Sequence, residues 1–371
     1  MSGIPLAFYA PMKSPDHPTP SGDRTMARLL VGALRVAGFE PTVMSELRSW
    51  EGTGNPVRQR EIAVEARREA ERLARDAVRP RLWFTYHNYY KAPDHLGPVL
   101  ARRWGVPYAL AEATRARKRA GGPWHDGHVA AEAANDAADL VLAMTEWDRA
   151  AWEETGGPRL VDLPPFLDTS AWPEPEPRSP TGRTVRLLAV GMMREGDKLA
   201  SYLLLADALS RLPDRGWTLD VAGDGPARAA VEAAFAPFGG RIRMHGAIPP
   251  ETLRELYAAA DLLVWPAVNE AYGMVLLEAQ AMGCPVLAGA YGGVRSAMKP
   301  GVTGVLAPPG DAETFARELS ALILDPDRRA RYGRAGSAFV RGKRDLPSAA
   351  AILREALLPL IERAPSCPCA S

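Results

Sequence analysis

Short apolar runs alternate with longer stretches of helical periodicity along nearly the whole chain. In the first half the runs Pro5–Ala10, Pro41–Met44, Arg81–Tyr86, Tyr108–Ala113, Leu140–Met144 and Leu160–Leu163 read as buried strands. Between them, Thr25–Ala37 repeats apolar residues at helical spacing, Val57–Ala77 is a long helix crowded with Arg and Glu at spacings that allow i,i+4 pairs, and Leu96–Trp104, Val129–Ala138 and Glu146–Glu154 also read as helices. Thr169–Thr184 is rich in Pro, Glu, Ser and Gly and has no period, as in an interdomain linker. The alternation then restarts. Strands are expected at Arg186–Val190, Leu219–Ala222, Ile242–His245, Leu262–Trp265, Pro285–Ala288 and Val305–Pro309. Helices are expected at Leu199–Leu212, Ala227–Phe235, Pro250–Ala259, Met274–Met282, Ala312–Leu324, Pro326–Val340 and Ala350–Ile361. Strand–helix alternation of this kind predicts an α/β protein with two doubly wound parallel sheets. The expected division is a first domain over 1–168, a linker over 169–184, a second domain over 185–345 and a C-terminal helix and tail over 346–371.

The block from Asp261 to Val294 carries the densest chemistry. Pro266 stops the strand Leu262–Trp265, a loop carries Glu270, Gly273 opens a helix, and Gly283 with Pro285 closes it. The first N–H groups of such a helix, with the positive end of its dipole, form an anion site. Gly273 has no Cβ, so a ligand can approach Gly273, Met274 and Val275 closely. Glu278 is a charge among Val275, Leu276, Leu277, Ala279 and Ala281, costly unless paired or ligand-bound. Two carboxylates beside an anion-binding helix end suit a ligand with both phosphate and hydroxyl groups. Two ordinary solvated acids would give the same bare spacing.

The wording Glu270-Ala-Tyr-Gly-Met-Val-Leu-Leu-Glu278-Ala-Gln-Ala-Met-Gly-Cys-Pro-Val resembles the Glu-x7-Glu motif of retaining glycosyltransferases of the GT-B architecture, family 4. The resemblance runs from Leu6 to about Ile361, is specific in the second half and is loose in the first. It implies two Rossmann-like domains facing a central cleft, a nucleotide-diphosphate sugar as co-substrate and no metal. It also implies that Glu270 contacts the hexose hydroxyls and Glu278 the ribose. Gly191-Met-Met-Arg194-Glu-Gly-Asp-Lys198 follows a strand, and its two cations can both reach a diphosphate. The family places a basic pair there for that purpose; two exposed cations in a turn are the alternative. Gly246-Ala-Ile248 is similar to the family loop whose backbone holds the nucleobase. Val221-Ala-Gly223-Asp-Gly225-Pro invites a dinucleotide-binding reading, which Arg228 excludes by standing where a third glycine is required.

In the first half, Pro20-Ser21-Gly22-Asp23-Arg24 resembles the family's first loop, facing the donor phosphates and acceptor, with one glycine where two are common. His87, at the carboxyl end of a strand, resembles the histidine that meets the donor sugar near its 6-hydroxyl. A lone histidine there is also compatible with a structural role. Glu112-Ala-Thr114 stands where many relatives carry a histidine. The basic run around Arg117 and Lys118 offers a patch to an anionic acceptor or a membrane surface, or is a solvated loop.

Composition narrows the partners. With 371 residues, 47% hydrophobic and 24% charged, the chain can fill two cores. A net charge of +1 gives no argument for nucleic acid. Cys284, Cys367 and Cys369 are too few for a disulfide framework and suggest a reducing compartment. Cys284 reads as a core residue, and a metal role for Cys367-Pro-Cys369 has little support. Met1–Pro11 lacks the basic start and cleavage site of a leader, and no stretch is a membrane span. The abundance of Arg, Ala, Pro and Gly suggests a high-GC bacterial genome. The expectation is a cytoplasmic transferase, able to work at the inner membrane face, acting on a glycan, lipid-linked or small-molecule acceptor. Competing readings are a nucleotide-sugar epimerase or sugar phosphorylase of the same architecture, or a non-catalytic nucleotide-sugar-binding protein.

Overall fold

The computed structural model describes residues 3–19, 21–154, 157–176, 184–213 and 216–363. Cys367 and Cys369 lie outside the described residues, as does the 177–183 part of the expected linker. The chain forms two compact units, Met1–Pro164 with Leu346–Ser371, and Pro165–Asp345.

The first unit contains β1 (Ile4–Tyr9), α1 (Gly22–Val36), β2 (Phe39–Ser45), α2 (Pro56–Asp76), β3 (Leu82–Asn88) and α3 (Gly97–Trp104). It continues with β4 (Tyr108–Ala113), α4 (His125–Ala137), β5 (Leu140–Ala143), α5 (Glu146–Glu153) and β6 (Arg159–Asp162). Its six strands lie in the order β2-β1-β3-β4-β5-β6, and the pairs are parallel. The central strands are buried on both faces, so they read as continuous apolar runs instead of alternating ones. Helix α1 begins three residues before the periodicity suggests, because Ser21 caps it: its hydroxyl accepts from the Arg24 N–H at 3.2 Å. Gly22 therefore stands in the first turn of a helix and not in a loop.

The second unit contains β7 (Val185–Val190), α6 (Asp197–Ser210), β8 (Trp217–Ala222), α7 (Arg228–Phe235), β9 (Ile242–Gly246), α8 (Pro250–Ala259) and β10 (Leu262–Trp265). Then come α9 (Met274–Ala281), β11 (Val286–Gly289), α10 (Val294–Ala297), β12 (Gly304–Ala307), α11 (Ala312–Leu324) and α12 (Pro326–Lys343). The strand order is β12-β11-β10-β7-β8-β9, again with parallel pairs. The short helix α10 has too few residues to show a period, and the sequence pattern missed it.

The units divide at Pro164/Pro165, ahead of the expected boundary at Asp168. The reason is visible in the hydrogen bonds and the core: the Leu167 N–H donates to the Arg344 carbonyl at 2.8 Å, and Leu167 packs into the second core. The start of the expected linker is also held there, since Arg341 Nη2 donates to the Trp172 and Pro173 carbonyls at 3.1 and 2.6 Å. The last helix, α13 (Leu346–Arg363), starts four residues earlier than its periodicity suggests and returns to the first unit. There Arg354 Nη1 donates to the Ala37 carbonyl at 2.9 Å. No helix among the described residues is long and apolar enough to cross a membrane.

Candidate active site

In each sheet the strand order reverses at one place, where successive loops leave in opposite directions and open a crevice at the strands' carboxyl ends. In the second unit that place lies between β7 and β10. Lys198 is in the first turn of α6 after β7, and Glu270 is in the loop after β10. The two meet there, with Lys198 Nζ 2.5 Å from Glu270 Oε2. The same carboxylate oxygen accepts from Trp265 Nε1 at 3.2 Å. Trp265 is fully buried, and the Tyr202 ring stands edge-on to it at 5.0 Å.

The Glu270 loop is tied down on both sides. Ser201 Oγ accepts from the Val268 N–H at 2.9 Å, and Asn269 Nδ2 donates to Asp197 Oδ1 at 2.9 Å. Ala267 and Asn269 adopt φ of 57° and 48° without being glycine. Each such residue costs about 1–3 kcal/mol and persists where surrounding contacts dictate it, a common property of ligand-clamping loops.

Gly273 is the N-cap of α9 at φ 68°, a left-handed conformation that glycine adopts without strain. Helix α9 ends as its sequence implies: the Gly283 N–H donates to the Gln280 carbonyl at 2.9 Å and the Cys284 N–H to the Ala279 carbonyl at 2.8 Å, a Schellman closure. Met274 and Val275 occupy the first turn and are half-buried. Glu278, one turn further, is held by the buried Tyr257, whose hydroxyl donates to Oε2 at 2.8 Å. Burial pushes the Glu278 carboxyl up, and the tyrosine hydrogen bond pulls it partly back.

The turns after β7 and β8 interlock. A Cβ on Gly223 would overlap the Gly191 carbonyl oxygen, and one on Gly225 the Met193 carbonyl oxygen. A Cβ on Gly191 would stand 2.8 Å from the Trp265 ring. Gly246 at φ 68° accepts from the Gly223 N–H at 2.9 Å, and Ile248 is half-buried against the same core. Arg194 is exposed in the turn after β7 and has no ion-pair partner among the described residues. Thus Gly191, Arg194, Lys198, Gly246, Ile248, Glu270, Gly273, Met274, Val275 and Glu278 all lie at the carboxyl side of one sheet or in the helix turns that follow it. Tyr257 and Trp265, which hold the two carboxylates, were not marked by any motif; their pairing is a product of packing.

In the first unit the order reverses between β1 and β3. His87 is near the carboxyl end of β3 at φ 68°, and Glu112 is near that of the neighbouring β4 at φ 54°. His87 Nδ1 lies 3.3 Å from Asp23 Oδ1 and 3.6 Å from Glu112 Oε2. Burial raises the Glu112 carboxyl to about 8, reinforced by Asp148 and Asp23 against the pull of His87. Burial opposes the imidazolium, yet Glu112 and Asp23 outweigh it and hold the His87 value up. Burial also opposes the Asp23 charge, and the facing imidazole outweighs it. Gly22 is one residue from Asp23, and a Cβ there would meet open space. Arg117 and Lys118 are exposed in a short 3-10 turn, whereas Arg115 is taken up by Glu132 and Asp136 at 2.5 and 2.6 Å. Among the described residues no group of three His, Cys, Asp or Glu side chains is arranged to hold a metal ion.

Two parallel-sheet units with this strand order define the fold of the GT-B glycosyltransferases, and solved structures agree. Sucrose-phosphate synthase from Thermosynechococcus elongatus matches with a TM-score of 0.72 at 19% identity, covering 95% of this chain and 98% of that one. Anabaena HepE in complex with UDP matches with a TM-score of 0.73 at 17% identity, covering 95% and 99%. The family model for glycosyl transferases group 1 matches residues 184–325. The D-inositol 3-phosphate glycosyltransferase of Xylanimonas cellulosilytica is 30% identical over 294 residues, 72% of this chain and 70% of the relative. The enzyme of the same name from Thermobispora bispora is 30% identical over 312 residues, covering 76% and 72%. The chain belongs to the group 1 glycosyltransferases.

Proposed function

We propose that the chain transfers a sugar from a nucleotide-diphosphate sugar to an acceptor with retention of anomeric configuration. The observation that carries this reading is the Lys198–Glu270 pair at the β7/β10 reversal, beside a glycine-capped helix that holds Glu278. The second unit binds the donor. The N–H groups of Met274 and Val275 and the side chains of Arg194 and Lys198 receive the diphosphate. Glu278 accepts from the ribose hydroxyls, and Glu270 from the transferred sugar. The Gly246–Ile248 backbone holds the base.

Preorganised charge around the departing diphosphate is then the main source of rate. The acceptor oxygen attacks on the face that the diphosphate leaves, and a phosphate oxygen takes its proton, so no protein nucleophile is required. Arg194 and Lys198 offset the leaving-group charge in place of a metal ion. HepE has been seen with UDP-glucose as well as UDP, which makes uridine donors the first to try.

Incubation of the full chain with a panel of nucleotide sugars, without acceptor, tests the reading by slow release of nucleoside diphosphate. An epimerase would interconvert the sugars and release none. NMR of the anomeric proton in the product decides between retention and inversion.

A further inference from the structure

The edge formed by β3 and β4 in the first unit holds more acid than its partners use. Asp23 from α1, Glu112 from β4 and Asp148 from α5 surround the single imidazole of His87, with the Tyr86 hydroxyl beside them. Asp148 is committed to the cap of α5, where Oδ2 accepts from the Thr145 N–H and hydroxyl at 3.2 and 2.8 Å. Asp23 feels Lys13 as well as His87. Glu112 is 8% exposed, and its Oε2 has no hydrogen-bond partner. Tyr86 is 1% exposed, its hydroxyl faces Glu112 without a well-formed hydrogen bond, and His87 Nδ1 meets Asp23 and Glu112 only at ion-pair range, 3.3 and 3.6 Å. Buried polar atoms are almost always satisfied, and each exception calls for a ligand or a water. Asp23 and His87 keep part of their side chains open to solvent, so the edge can be reached from outside.

We propose that Glu112, with Asp23 and His87, binds a protonated amine on the acceptor, so that the acceptor class is an amino sugar or aminocyclitol. An ammonium group offers up to three donors to the Glu112 and Asp23 oxygens and offsets charge where three carboxyl groups face one imidazole. A phosphate-bearing acceptor would meet three carboxyl groups instead. The curated relatives are named for an inositol phosphate acceptor, and this edge is the wrong sign for that group. Near neutral pH Glu112 holds its proton because of burial. Arrival of the ammonium ion makes the carboxylate favourable, and the displaced proton passes to solvent. Calling this ligand the acceptor rests on the transferase reading; the binding itself does not.

The test titrates the full chain calorimetrically with glucosamine, glucose and glucose 6-phosphate, in two buffers of different ionisation enthalpy. Glucosamine should bind, and the other two should bind at least about tenfold more weakly. At a pH low enough for the glucosamine amine to be fully protonated already, heat should differ between buffers in the sense of proton release. Glu112→Gln should weaken glucosamine at least about tenfold and remove the buffer dependence. Asp23→Asn, at the more open position, should weaken it as well and serves if the first variant does not fold. Glucose binding as tightly as glucosamine, glucose 6-phosphate binding more tightly, or unchanged glucosamine affinity in both variants overturns the inference. UDP titrated in parallel reports on the second unit alone. Wild-type protein that binds neither UDP nor any other nucleoside diphosphate undoes the transferase reading, whatever glucosamine does.

Discussion

Lys198 and Glu270, separated by 72 positions, are joined at 2.5 Å across the place where the second sheet reverses its strand order. The pair puts a cation and a carboxylate within one hydrogen bond of each other. It also places Lys198 above the Trp265 ring at 5.5 Å. Lys198→Ala and Arg194→Ala should each weaken nucleoside diphosphate binding roughly ten- to a hundredfold, the scale of a charged hydrogen bond of about 1.5–3 kcal/mol. Calorimetry with UDP reads this directly. Unchanged affinity in both variants would remove the diphosphate from this end of the sheet.

The two glutamates should divide their labour. Glu270→Gln should lower turnover strongly and leave nucleoside diphosphate affinity nearly intact. Glu278→Gln should weaken nucleotide and nucleotide sugar alike. Tyr257→Phe removes the hydrogen bond that partly offsets burial of Glu278, so the carboxyl should rise further. A protonated Glu278 accepts less well, so nucleotide affinity should fall as pH drops, and fall at higher pH in Tyr257→Phe than in wild type. Affinities measured across a pH series that move in parallel for both proteins would contradict this role for Tyr257.

Stability should fall with rising pH through the first unit's acid cluster. Glu112 binds its proton more tightly folded, at about 8, than unfolded, and His87 is raised in the same sense. The folded state then holds the extra protons, so the contribution is complete at acid pH and is lost as pH climbs toward 8. Thermal melts from pH 5 to 8.5 should show a declining melting temperature, with a shallower decline in Glu112→Gln.

The alternation of apolar runs and helical stretches was enough to place both parallel sheets, because strands buried on both faces carry no competing polar pattern. Pro250–Ala259, Leu262–Trp265 and Ala312–Leu324 begin and end where their prolines, caps and periods place them. The start of α1 was hidden because Ser21 sits in a Pro- and Ser-rich stretch that reads as loop. In the site, Glu270 and Glu278 were legible as a motif, and His87 as a residue at a strand end. Tyr257, Trp265 and Ser201 were not, since each acts through a partner brought near only by folding. Glu112 was visible as a departure, but its link to His87 follows from the register of β3 against β4.

Glycines at two positions should respond in opposite ways. Gly223→Ala drives a Cβ into the Gly191 carbonyl at φ 148° and should destabilise by about 2 kcal/mol or more. Gly22→Ala meets open space in the first turn of α1 and should be neutral or stabilising by up to about 1 kcal/mol. Denaturant midpoints compare the two. If ligand approaches the Gly22 backbone, Gly22→Ala should lose activity while its midpoint holds.

Activity is expected to survive EDTA, since Arg194 and Lys198 are cast in the role a metal would fill. Loss on chelation with recovery in Mn²⁺ or Mg²⁺ would reverse that assignment.

The helix α13 makes the first unit discontinuous in sequence. Arg354 reaches back to the Ala37 carbonyl, and Leu346 packs against Gly32, where a Cβ would come within 3.2 Å. During synthesis the second unit has all its residues available before α13 leaves the ribosome. The first unit, although begun earlier, waits with one face of α1 uncovered until α13 has been made. Birth order and completion order are therefore reversed, and a nascent chain stalled near Asp345 would carry a finished second unit beside an unfinished first.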